Sequence, residues 1–273
     1  MAHRFTSLRH SLEKLQEAEY FLAGLVASNG LEFQFNLNAF LSACRSTTFT
    51  LQKSLSGVDG FAAWYQARQT EMRADPALGF FLELRNISQH EGPVGYVGGT
   101  MPGTDQRSYR FAGNREAVPP PLVGADAGAA CADHLVKLAN LLQDVVQMFP
   151  FASCPANAVS PAGMTHLGFS LADVGEAIGL PAAYVEAGAD IPVAEKLRIL
   201  AREFEPLDID TLARLAGGEF QRDGEPVMVF RSAGNDQTDV VAEMIEGSAG
   251  NTLDLKQVFL AAIAQRIERQ ERT

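Results

Sequence analysis

The sequence has 273 residues, of which 47% are hydrophobic and 20% are charged, a composition typical of globular proteins and sufficient for one large domain or two modest ones. Its formal net charge of −11 would repel a polyanion at long range, which disfavours broad electrostatic binding to nucleic acid. Eight basic residues lie in the first third of the chain, whereas acidic residues dominate after Asp126, so any nucleic-acid contact is expected in the first third.

No apolar stretch approaches the roughly 20 residues that a membrane-spanning helix needs. The N-terminus, from Met1 to Phe5, runs directly into polar and charged residues rather than into an apolar segment. We therefore expect a cytoplasmic protein that does not contact a membrane.

The three cysteines, Cys44, Cys131 and Cys154, are far apart and form no CxxC pair. No histidine stands at a metal-ligand spacing from them, so neither a disulfide nor a zinc site is expected, and no cofactor is predicted. Cys44 falls on the apolar face of a predicted helix, where a free cysteine behaves as a small hydrophobe. We expect a buried structural thiol there.

Two helices are predicted at the start of the chain. Apolar residues at helical spacing predict the first from Thr6 to about Ser28, with Asn29 and Gly30 as its stop. A second stripe extends over five turns and predicts a long helix that ends near Ser56. The stripe consists of Leu37, Phe40, Leu41, Cys44, Thr48, Leu51 and Leu55.

Two further helices are predicted before residue 93. The spacing of Phe61, Tyr65 and Met72 predicts a third helix up to Ala74. Asp75-Pro76 then supplies an N-cap and a proline at the first helical position, so a fourth helix is expected from Pro76 to His90, closed by Gly92-Pro93. Short connections make such helices antiparallel neighbours in a bundle.

The segment from Gly92 to Ala125 is rich in glycine, proline and aromatic residues. Residues 94–97 and 108–111 flank a turn-rich centre, which predicts a β-hairpin inserted at about 93–123. Asp126 then opens a fifth helix, predicted to run to Phe149.

The remainder of the chain is expected to be mostly helical. Residues 150–165 resemble a linker or crossover because they are rich in proline, alanine and serine. The elements predicted beyond it are helices near Leu171–Ile178, Val193–Phe204 and Ile209–Leu215, a strand over Val227–Phe230, and a last helix from about Leu253 to Arg269.

The predicted fold is therefore mainly α: an up-and-down helical bundle with an inserted β-hairpin over residues 1–150, and a mostly helical C-terminal part over residues 160–273. The sequence assigns no role to this C-terminal region.

Groups suited to phosphate chemistry stand together at the end of the fourth helix, in Arg85-Asn86-Ile87-Ser88-Gln89-His90. Arginine offers a planar fork of donors for phosphate oxygens, and histidine is the side chain whose unperturbed pKa lies near neutrality. Asn86 and His90 are four residues apart and share a helix face. An anion clamp beside an acid or base suggests RNA cleavage.

Arg85-Asn86-x3-His90, on a helix within a bundle of long helices, resembles the signature of the HEPN superfamily, in which an arginine and a polar residue precede a histidine. The similarity is confined to this motif and to the helical context of about residues 1–150. Many HEPN domains are metal-independent endoribonucleases that dimerise so that two motifs face one cleft.

The resemblance implies a catalytic role for three residues. His90 would act as general base on a ribose 2′-hydroxyl, Arg85 would stabilise charge on the phosphorane oxygens, and Asn86 would orient His90 or the phosphate. It also implies a homodimer with an RNA substrate, in a bacterial toxin or defence setting with an antitoxin or other partner protein.

Two alternatives remain for the motif. Arginine and histidine near a helix C-terminus interact favourably with the helix dipole, which would give Arg85 and His90 a structural role. The chain would then be a non-catalytic HEPN-fold module for protein interaction or ligand sensing.

Three weaker signals lie outside the motif. His134 on the fifth helix is expected to face solvent or to cap, although it could join a site if that helix packs beside the fourth, and His166 has no companion nucleophile. Residues 170–190 show the sequence pattern of a helix-turn-helix, with a glycine turn between two helices, but lack the basic and amide residues of a recognition helix. DNA binding is therefore disfavoured.

Overall fold

The computed structural model describes residues 5–100, 107–113, 117–187 and 190–229. These residues form a mainly α fold, as the sequence predicted, in which a bundle of long helices carries a small β-hairpin. The long helices are α1 (Arg9–Ala27), α2 (Gly30–Leu55), α3 (Phe61–Ala74), α4 (Pro76–His90) and α5 (Ala127–Met148). No described helix is both long and apolar enough to cross a membrane.

Helix α2 follows from its apolar stripe. All seven residues of the predicted stripe are buried, and Phe40, Leu51 and Leu55 are completely inaccessible. Because such residues recur every three or four positions, one side of the helix packs against α1, α4 and α5. Cys44 is buried as expected, and Cys131 and Cys154 are also free and buried.

Two aspartates set the starts of α4 and α5. Asp75 accepts hydrogen bonds from the backbone N–H groups of Ala77 and Leu78, and Pro76 occupies the first helical position. Asp126 accepts from Gly128 and Ala129 in the same way. Both helix starts are therefore where the sequence predicts them.

The predicted hairpin forms from antiparallel strands β1 (Tyr96–Thr100) and β2 (Arg107–Phe111), with Tyr96 opposite Phe111. The second carboxylate oxygen of Asp126 accepts hydrogen bonds from the Tyr109 N–H and the Ser108 hydroxyl. One buried side chain thus joins the hairpin to the start of α5.

The segment 150–165, predicted as a linker or crossover, forms three short helices. They are α6 (Pro150–Ser153), α7 (Pro155–Ala158) and α8 (Pro161–Leu167). Each begins with proline, whose missing N–H is no loss in the first turn of a helix. The prolines that suggested a linker therefore mark helix starts.

The region beyond α8 is mostly helical, as predicted. It contains α9 (Leu171–Ala177), α10 (Ala182–Glu186), α11 (Val193–Leu200), a 3₁₀ turn at Ala201–Glu203, and α12 (Ile209–Ala216).

The strand predicted at 227–230 is not found at residues 227–229. The strands are instead β3 (Gln221–Arg222) and β4 (Glu225–Pro226), because Asp223 and Gly224, with φ of 54° and 84°, close a tight turn before Val227. Phe230 and the predicted helix at 253–269 lie outside the described residues.

Helix α12 contributes to the main core. Leu212 and Leu215 are buried together with residues of α1, α2 and α5. Arg214 donates to both carboxylate oxygens of Glu19 on α1, at 2.5 and 2.9 Å, and the Gln221 N–H donates to the same carboxylate at 2.6 Å. The same hydrophobic core thus contains residues that precede segment 150–165 and residues that follow it. A division of the chain into two functional domains stays a prediction.

Candidate functional site

Helix α4 positions all three motif residues. It begins at the Asp75 cap and ends at His90, where the Glu91 N–H donates to the Ile87 carbonyl. Gly92 follows with a φ of 142°, a conformation that side chains disfavour, so the chain leaves the helix there. The motif therefore occupies the last two turns of a well-capped helix.

Arg85 and His90 point away from each other on this helix. Five residues at 100° each place them about 140° apart around the axis. Arg85 is half-buried and its Nη1 donates to Asn86 Oδ1 at 3.4 Å, whereas His90 is exposed at the helix end. Within one chain, Arg85 is close to Asn86 but does not face the same side as His90.

Arg85 lines a pocket of about 200 Å³ between α2, α3, α4 and α5. Its neighbours on α4 explain why: Leu78, Phe81, Leu82 and Arg85 follow an i, i+3, i+4, i+7 spacing and share one face. Helix α2 contributes residues at the same spacing. They are Leu41, Cys44, Arg45 and Thr48.

Three arginines line this pocket, Arg45, Arg73 and Arg85, and no aspartate or glutamate does. Arg45 donates to the Thr48 hydroxyl at 3.2 Å. Among the described residues, none of these arginines is paired with a carboxylate. The pocket is thus locally basic in a chain whose net charge is −11.

The Nε of Arg85 is buried and has no hydrogen-bond partner among the described residues. A buried N–H without an acceptor is rare in folded proteins, because its lost hydration is not replaced.

His134 of α5 lines the same pocket, which is the alternative named for it in case the fifth helix packs beside the fourth, rather than the preferred solvent-facing or capping position. Its ring is half-buried and stacks on Phe81, with centroids 4.2 Å apart and planes at 15°, so it neither caps a helix nor projects into solvent. Burial and, to a lesser degree, the charge of Lys137 lower the pKa of His134 to about 3. The imidazole is therefore neutral at pH 7, and its buried Nδ1 has no partner in the described part of the chain.

Lys137 and Asp75 join the two helices that carry Phe81 and His134. The Lys137 ammonium donates to the Asp75 carboxylate at the start of α4. Burial by itself would raise the pKa of Asp75, but the hydrogen bonds from Lys137 and from two backbone N–H groups outweigh it and lower that pKa. This contact holds α5 beside α4 and places His134 over Phe81.

A sequence signal for this pocket existed in the helix spacings. Arg85 continues the Leu78, Phe81, Leu82 face, and His134 lies four residues before buried Leu138. What the sequence lacked was the pairing of helices, which brings these faces together. No group of three or more histidine, cysteine or acidic residues suited to a metal ion occurs in the described ranges.

Residues 23–96 match the family model described as bacteriophage lambda protein ea47. This segment, about a quarter of the chain, extends from the end of α1 through α4 to the first residue of β1 and contains Arg45, Arg73 and Arg85. It does not include His134 on α5. No curated protein and no solved structure matches the chain.

Proposed function

We propose that this chain is a non-catalytic helical module that binds a small anionic ligand in the pocket between α2, α3, α4 and α5. The observation that carries the proposal is the lining of this pocket, which contains three arginines and, among the described residues, no aspartate or glutamate. Arg45 and Arg73 line the same pocket, so an anion there would meet three guanidinium groups.

Physical chemistry favours an anion at this place. Guanidinium groups bind carboxylates and phosphates through paired, charge-assisted hydrogen bonds. They also repel one another when they share a pocket without a counter-charge. A bound anion would supply this counter-charge.

The test is calorimetric titration of the whole chain with small anions at low ionic strength. Binding by wild type, lost in Arg85→Gln, is expected. Arg68→Gln is the matched control, because Arg68 lies outside the pocket on α3 and pairs with Glu71 and Asp144. Absence of any anion binding, or equal binding by Arg85→Gln and wild type, would overturn the proposal.

A second candidate function is metal-independent RNA cleavage of the HEPN type in a bacterial toxin or defence setting. It is favoured by the exposure of His90 and by the Arg85 to Asn86 hydrogen bond, which holds two motif groups together on α4. Because Arg85 and His90 are about 140° apart on one helix, the site would need a second copy of the chain.

In that case the cytoplasmic homodimer would carry a composite site. His90 would remove the proton from a ribose 2′-hydroxyl, Arg85 would stabilise the phosphorane, and Asn86 would orient one of them. An antitoxin or other partner protein would restrain it. Incubation with structured RNA, with and without EDTA, tests this function, and equal cleavage by wild type and His90→Ala would exclude it.

A further inference from the structure

We infer that the ligand of the arginine-lined pocket is a small organic carboxylate whose apolar body is about the size of one six-membered ring. This inference rests on the proposed anion-binding function and specifies its ligand class. It is carried by the apolar floor of the pocket, by its volume and by the neutral state of His134.

The floor of the pocket is apolar on all four helices. The side chains that form it are Leu41 and Cys44 of α2, Met72 of α3, Leu78, Phe81 and Leu82 of α4, and Leu138 of α5. An inorganic anion would leave this apolar surface in contact with water, whereas a ligand with a hydrocarbon part would cover it. The guanidinium groups and the floor together fit one amphipathic ligand.

The volume limits the size of the hydrocarbon part. The pocket encloses about 200 Å³. An engineered cavity of roughly 150 Å³ in another protein holds one benzene ring. A single ring with a carboxylate therefore fits the pocket.

His134 adds a neutral surface rather than a fourth charge. Its pKa of about 3 leaves the imidazole uncharged at pH 7, stacked on Phe81. The flat pair formed by these two rings is suited to contact with another ring. A monoanion also gives up less hydration than a phosphate dianion on entering such a pocket.

The experiment is calorimetric titration of the full chain at pH 7 with four probes: benzoate, acetate, inorganic phosphate and benzamide. Benzoate carries both charge and ring, acetate and phosphate carry charge alone, and benzamide carries the ring alone. We expect benzoate to bind at least about tenfold more tightly than each of the other three, because each lacks one of the two interactions.

Two arginine variants locate the binding. Arg85→Gln and Arg45→Gln are expected to weaken benzoate binding by about tenfold or more, since each removes a charged donor from the pocket. Arg45 is exposed, so its replacement does not threaten folding. Arg68→Gln should bind benzoate as wild type does.

The outcomes distinguish the inferred ligand class from the anion-binding function. Equal affinity for benzoate, acetate and phosphate would overturn the inferred ligand class and leave anion binding intact. Equal affinity for benzamide and benzoate, or no binding of any anion, would overturn the anion-binding function itself.

Discussion

His134 of α5 stacks on Phe81 of α4, with ring centroids 4.2 Å apart and planes at 15°. The contact joins two helices that the chain separates by the whole hairpin, and it forms one wall of the arginine-lined pocket. Through it, a residue with no companion motif in the sequence becomes part of the candidate site.

The first prediction concerns acid stability. The pKa of His134 is about 3 in the fold, whereas an unperturbed histidine has a pKa near 6.5. The contribution of the neutral imidazole to the unfolding free energy is therefore complete above pH 6.5. It is lost as the pH falls from 6.5 towards 3, because His134 is protonated in the unfolded chain before it is protonated in the fold. Wild type should lose roughly 2 kcal/mol of unfolding free energy through this group between pH 7 and pH 5.

His134→Phe provides the comparison, since it keeps a ring on Phe81 but cannot titrate. Urea unfolding of both proteins at pH 7 and pH 5 gives the difference. The same pH dependence in wild type and variant would contradict a buried neutral imidazole.

The second prediction concerns the stability of the ligand-free protein. Replacing Arg85 with methionine removes a buried N–H that lacks a partner and reduces repulsion among three guanidinium groups, while it keeps an apolar stem. Arg85→Met should therefore raise the unfolding free energy by about 1 kcal/mol. Urea unfolding at pH 7 measures it, and a loss of stability would indicate that Arg85 has a structural partner.

The third prediction concerns Arg214, which, unlike Arg85, is paired with a buried carboxylate. Its bidentate pair with Glu19 joins α12 to α1, and the Glu19 hydrogen bond raises the pKa of Arg214. Arg214→Met leaves the buried Glu19 carboxylate without its counter-charge and should lower the unfolding free energy by about 3 kcal/mol.

Arg9→Met is the control for Arg214→Met. Arg9 pairs with Glu13 and Glu205 at the surface, where both partners are largely exposed. Its loss should change the unfolding free energy by less than about 1 kcal/mol. Similar effects of the two substitutions would argue against a stabilising buried ion pair between α1 and α12.

The fourth prediction uses Gly79, which lines the pocket within α4. A Cβ built there meets nothing within 4 Å, and its φ is not positive, so a larger side chain can be accommodated. Gly79→Leu should stabilise the fold by roughly 0.5–1 kcal/mol, because glycine is unfavourable inside a helix. It should also narrow the pocket and weaken benzoate binding.

Gly79→Ala separates these effects, because it improves helix propensity while adding one carbon. We expect it to retain benzoate binding. Thermal unfolding and calorimetry of both variants are the measurements, and equal benzoate affinity in the two would place the ligand elsewhere.

Much of the helical framework could be predicted because its signals are local. Asp75-Pro76 and Asp126 cap the helices that follow them, and Gly92 follows α4 in a conformation that favours glycine. Residues 150–165 misled the prediction because proline both breaks helices and begins them. Which of the two applies depends on what the following residues can pack against.

The sequence by itself determined that five long helices form, that α4 runs from Pro76 to His90, that Cys44 is buried, and that Arg85, Asn86 and His90 share one helix end. Only the tertiary structure decided that Arg85 turns into a pocket with Arg45 and Arg73, and that His134 joins them as a neutral ring. The reason is physical: caps and stripes act within a few residues, whereas the pocket is made by packing helices whose lining residues extend from Leu41 to Leu138.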